Sequence, residues 1–163
     1  MNDERELNNA LEESVVLGLF KAFCENNNSV DKLKRLRNIY ARTLNPVKTT
    51  KQLIVNELNE ELSDDYADRM TELIEAFLNK KSYRESISSD LKKKLLTKQK
   101  NKCAICGTII DIHSHADHIV PFKYVGDELK DNLQMLCSDC NLEKNASIDY
   151  QIKYLLKLTR RKV

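Results

Sequence analysis

Cys103-Ala104-Ile105-Cys106, then His115-Ala116-Asp117-His118-Ile119-Val120-Pro121, then Cys137-Ser138-Asp139-Cys140-Asn141-Leu142-Glu143-Lys144: these blocks decide how the chain is read. A Cys-x-x-Cys turn directs two thiolates at one ion, and two such turns complete a closed, tetrahedral zinc site with no open position. Thirty residues separate Cys106 from Cys137, enough for a hairpin-like excursion that returns to the same ion. Such a site is structural. It staples a segment whose own apolar residues are too few to fold it. Between the pairs, alternation from Ile110 to Val120 suits a strand. Neighbouring side chains on a strand point to opposite faces, so Asp117 and His118 can share one ion only through a local twist. After a loop, Asp131-Asn132-Leu133-Gln134-Met135-Leu136 reads as a second strand that leads into a short helix from the second cysteine pair.

Upstream, residues 91–102 carry six Lys and no acid. A helix is expected at 90–100 with Ser89 as its N-cap and Leu91, Leu95 and Leu96 facing inward; the lysines line its outside. This clustering is the electrostatic footprint of a polyanion partner, although a solvated helix face would look the same. Further out, residues 1–80 read as four amphipathic helices. Leu7, Leu11, Val15, Leu19 and Phe23 fall at steps of four and form the first stripe. Val30, Leu33, Leu36, Tyr40 and Leu44 form the second, closed by Pro46. Leu53, Ile54, Leu58 and Leu62 form the third. Ser63 caps the fourth, with Asp64 and Asp65 in its first turn and Tyr66, Met70, Leu73 and Phe77 along its stripe. These stripes read as core and carry no chemistry. Lone Cys24, beside Phe23, reads as a small buried apolar residue. Ile148 to Leu158 forms a closing helix with a basic tail.

The composition agrees with this division. Three Gly and two Pro in 163 residues suit helices and are too few for a sandwich. The length excludes a barrel enzyme or a doubly wound dinucleotide binder. The expected fold is mainly α with a small α+β part: a helical domain over residues 1–85 followed by a zinc-stapled domain over 86–163. No apolar run approaches the roughly 20 residues that span a bilayer. The acidic first thirty residues lack the basic-then-apolar order of a secretion signal. A soluble, cytoplasmic protein with no membrane partner is expected.

From Cys103 to about Lys144 the chain resembles the HNH endonucleases, with their ββα-metal fold. The paired cysteines, the Asp-His-Ile-Val-Pro block, the Asn-Leu-Gln block and the Cys-x-x-Cys-Asn-x-x-Lys ending carry the resemblance, and their order makes it specific. It implies that Asp117 ligates a catalytic divalent metal, His118 is the general base, and Asn132 braces the loop and orients that base. Asn141, where many members have His, is implied as the second metal ligand; the HNH domain of RNA-guided CRISPR nucleases also pairs Asp-His with a later Asn. The usual Gly-Gly of the intervening loop is reduced to Gly126. Oxygen ligands are hard and favour magnesium or manganese, in addition to the structural zinc on Cys103, Cys106, Cys137 and Cys140. Lys144, Lys98, Lys100 and Lys102 are candidate phosphate contacts, and His115 a candidate supporting residue beside the ligands. The implied activity is hydrolysis of DNA, in anti-phage defence or restriction or with a phage origin. Cutting both strands calls for a homodimer, or for a partner subunit such as an ATPase docked on the N-terminal helices. A zinc-stapled nucleic-acid-binding module without catalysis is the alternative.

Overall fold

The computed structural model describes residues 2–161; Met1, Lys162 and Val163 lie outside the described residues, and with them the end of the expected basic tail. The chain opens with four helices, α1 (Asn2–Asn26), α2 (Val30–Arg42), α3 (Pro46–Leu58) and α4 (Asp64–Asn79). Then follow α5 (Ser89–Lys98), β1 (His115–His118), α6 (Phe122–Val125), β2 (Leu133–Leu136), α7 (Ser138–Lys144) and α8 (Ile148–Arg160). The fold is mainly helical with one small two-stranded sheet, as the sequence implied. Among the described residues no helix is long and apolar enough to cross a membrane.

Local chemistry sets the boundaries. Ser29, Asn45, Ser63, Ser88 and Ser147 each accept a backbone N–H of the first turn that follows. Each cap satisfies a donor with no helical partner and is worth about 1 kcal/mol. The α5 cap is Ser88, one residue before the expected Ser89. Pro46 opens α3 at its first position, where its missing N–H costs nothing, and α2 has already ended at Arg42. Leu44 is consequently fully exposed in the connection.

The first stripe needs correction. Leu11 and Val15 are 47% and 42% exposed, while Ala10, Ser14, Leu17, Phe20 and Cys24 are buried. A step of four residues advances about 40° beyond a full helical turn, so a run of fours slides off any single face. The buried set steps by four, three, three and four and stays on one, and Phe23 at the end of the expected stripe is buried beside it.

The main core gathers Leu17, Phe20 and Phe23 of α1, Ile54 of α3, and Met70, Leu73 and Ile74 of α4. Helix α8 returns along α1, adding Ile148, with Lys21 and Asp149 paired at 2.9 Å at the edge. Val120, Val125 and Leu129 join the same cluster, so it draws on residues from both sides of position 85. A second, smaller cluster joins Leu96, Cys103, Ile110, Met135, Leu136 and Cys140. The sheet is antiparallel, with Asp117 opposite Gln134 and His118 opposite Leu133. β1 is shorter than the alternation from 110 suggests. The Asp111 carboxylate accepts the His113 N–H at 2.9 Å and Ser114 N–H bonds Asp111 O, so a local turn takes the donors a strand would need.

Candidate active site

The four thiols converge. Sγ atoms of Cys103, Cys106, Cys137 and Cys140 all lie within 4.8 Å of one another, and those of Cys106 and Cys137 are 3.7 Å apart. Two thiolates on a tetrahedral zinc with bonds of about 2.3 Å stand about 3.8 Å apart; the cluster therefore fits zinc. Backbone builds it. Gly107 turns the first knuckle with φ +76°, where a side chain would be strained, and its N–H bonds Cys103 O at 3.0 Å. Cys137 is the N-cap of α7, with Sγ 3.5 Å from the Cys140 N–H. Side-chain and backbone hydrogen bonds with Thr108 pull the Cys106 thiol down to about 6, whereas burial pushes Cys140 up.

Asp117 and His118 are successive residues at the end of β1, yet both line one cleft of about 350 Å³ together with Asn141 of α7. The twist that permits this follows at once: Ile119 N–H bonds Asn132 O at 2.9 Å, and Asn132 clasps Val120 with both ends of its carboxamide. Those two contacts, Val120 N–H to Oδ1 and Nδ2 to Val120 O, are each 2.8 Å and buried. Asp117 uses one oxygen, Oδ2, for two partners: Gln134 Nε2 at 3.1 Å and Lys144 Nζ at 2.9 Å. Its Oδ1 remains for a ligand. Among the described residues the Asn141 carboxamide makes no hydrogen bond, so it too is open to the cleft. A carboxylate oxygen and an amide oxygen are hard donors that fit magnesium or manganese.

Lys144 is the clearest departure from the sequence reading, in which it is a candidate phosphate contact. It is 0% exposed, and its ammonium donates to His118 O at 2.8 Å while pairing with Asp117. A buried ammonium remains charged only with such partners; here it holds the Asp117-His118 corner from inside. Lys98, Lys100 and Lys102 are exposed, and Lys98 lines a neighbouring cleft with His118. Gln99 fixes this end of α5 to β2, with Oε1 accepting the Met135 N–H and Nε2 donating to Met135 O, at 2.8 and 2.9 Å. His115 is exposed at the start of β1 and lies outside the cleft of Asp117.

Three contributors escaped the sequence. Asp127, two positions before Leu129 in the loop, stands with Oδ1 2.7 Å from His118 Nε2, and its Oδ2 accepts the Glu85 N–H at 2.9 Å. Burial alone would push the Asp127 carboxyl up, but the Glu85 N–H, His118 and Arg84 together hold it below its ordinary value. Arg84 lines the cleft with its guanidinium 4.7 Å above the Phe122 ring. Gln134 supports Asp117 from the facing strand. Spacing could have offered Gln134, since it follows Asn132 by two. Nothing local marks Asp127 or Arg84.

A hairpin followed by a helix, with an Asp-His corner on the first strand and four converging thiols, agrees with what the resemblance drawn from the sequence implies. Residues 103–147 match the family model for HNH endonuclease, so the C-terminal part of the chain carries an HNH domain. That family comprises metal-dependent nucleases with DNA as substrate. No curated protein and no solved structure matches the chain.

Proposed function

We propose that this protein is a metal-dependent endonuclease that hydrolyses DNA phosphodiester bonds. The observation that carries it is that Asp117, His118 and Asn141 line a single cleft open to a ligand. Asp117 and Asn141 hold magnesium or manganese, which when bound polarises the phosphoryl group and stabilises the leaving oxygen. His118 takes a proton from the attacking water, whose oxygen bonds to phosphorus opposite the departing 3′-oxygen. The products carry a 5′-phosphate and a 3′-hydroxyl. Asn132 keeps the residues after His118 in register by clasping Val120, and Lys98, Lys100 and Lys102 meet the DNA backbone. Zinc on the four cysteines holds the two strands and α7 together. Residues 1–85 serve as docking surface for a second copy, or for a partner subunit such as an ATPase in a cytoplasmic anti-phage defence complex. Residues 86–163 form the nuclease part.

Nicking of supercoiled plasmid in magnesium tests the proposal. His118→Ala lowers the rate by about 10²- to 10⁴-fold, the usual contribution of a general base, while zinc content and folding persist. Nicking by that variant at the wild-type rate overturns the assignment of the base. A wild-type protein that binds DNA without magnesium-dependent cutting is instead a binding module.

A further inference from the structure

Residues 80–85 run as a strap between α4 and α5, and the strap is fastened to the loop that follows His118. Lys80 Nζ donates to Lys123 O at 2.5 Å, and the Glu85 N–H donates to Asp127 Oδ2 at 2.9 Å. Gly126, with φ +59°, leaves no room between loop and strap, since a Cβ there would sit 2.9 Å from Lys80 Cβ. The strap thereby sets where Asp127 stands. Its other oxygen meets His118 Nε2 at 2.7 Å, and the imidazole, 8% exposed, is held on another side by the edge of the Phe122 ring, centroids 5.4 Å apart.

An ionised carboxylate only accepts hydrogen bonds. Both Asp127 oxygens are engaged, and the one facing the imidazole demands a proton on Nε2. The other ring nitrogen then carries the lone pair. We propose that Asp127 is a positioning residue that fixes His118 as the Nε2–H tautomer, so that Nδ1 is the atom that takes the proton from water. The catalytic consequence rests on the nuclease proposal above; the tautomer does not. Asp127 touches no reacting atom and acts through His118, as a carboxylate behind a histidine base does elsewhere.

Asp127→Asn is the discriminating variant. The Glu85 N–H still requires an oxygen, which turns the amide NH₂ toward His118 Nε2. That donor needs a lone pair at Nε2 and drives the proton to Nδ1, the wrong edge for a base. Imidazole ¹⁵N spectra of the full-length, zinc-loaded protein report the tautomer directly, with His118 assigned against His118→Ala. They are recorded at a pH where further base no longer changes the His118 signals. The wild type should show a protonated Nε2 and a bare Nδ1. Asp127→Asn should show the reverse, with kcat for nicking about 10²- to 10⁴-fold lower, KM unchanged and zinc retained. A wild-type spectrum with the proton on Nδ1, on both nitrogens or shared equally overturns the proposal, and so does a variant that switches tautomer yet cuts at the wild-type rate. If the variant does not fold, the wild-type spectrum decides. If the wild type does not cut DNA, the nuclease proposal fails while the spectrum still decides the tautomer.

Discussion

The helical part and the zinc-bearing module are held together by different physics. In the first, Leu17, Phe20, Phe23, Ile54, Met70, Leu73 and Ile74 are all buried to within 1% of completely, and apolar burial at about 25 cal/mol per Å² stabilises the packing. In the second, the buried apolar set is six residues, two of them cysteines. What replaces a core is polar. Asn132, Gln134 and Lys144 are buried with their hydrogen bonds made, and four thiols converge at the spacing of one zinc site. Burial makes a stable scaffold without specifying angles, whereas directional bonds aim an imidazole and a carboxylate into one cleft. His118 sits at the seam: Ala116 packs against the smaller cluster and Val120 lies in the larger one.

Zinc removal tests this contrast most severely. Structural zinc in small modules contributes about 10 kcal/mol or more, as much as the whole buried apolar set of this module supplies before chain entropy is subtracted. Cys137→Ser should release zinc by metal analysis and unravel β1, β2 and α7, while circular dichroism retains the helical signal of α1 to α4. Complete loss of helix together with the metal would break the contrast, because the seam at Val120, Val125 and Leu129 would then join both parts in one cooperative unit.

Lys144→Met comes next. It removes the ammonium but leaves the Asp117 carboxylate, 14% exposed, without its ion pair. Stranding one partner of a buried pair costs about 3–5 kcal/mol, which urea unfolding would read as a lower midpoint. An unchanged midpoint would show that Gln134 alone satisfies Asp117. The measurement also separates a lysine that builds the corner from one that binds phosphate, since the latter leaves stability alone and lowers DNA affinity.

Legibility in the sequence followed the same division. Cys-x-x-Cys pairs have a fixed reach, so the thiol cluster could be read from spacing, and the hairpin with α7 came with it. Caps and breaks were equally local, and the helices lie within a few residues of expectation. Lys144 was misplaced because charge argues for the surface unless a partner is known, and its partners are 26 and 27 positions away. Asp127 was invisible for a related reason: its role depends on Glu85, 42 residues upstream. Polar networks that close through space leave no periodicity to detect.

Periodicity itself misled at α1, and this yields the mildest prediction. The step-of-four stripe makes Leu11 and Val15 core positions; the structure leaves them 47% and 42% exposed and buries Leu17 instead, at 1%. A half-exposed side chain has little transfer free energy to lose and leaves no cavity when shortened. Leu11→Ser and Val15→Ser should therefore each stay within about 0.5 kcal/mol of the parent, as surface changes do. Leu17→Ala removes atoms from a packed interior and should cost about 2–5 kcal/mol. Chemical denaturation of the three variants compares them on one scale. A large loss at Leu11 or Val15 would mean that this face is covered in solution, and it would appear as a dependence of the midpoint on protein concentration, because only association can bury a surface that the isolated chain leaves open.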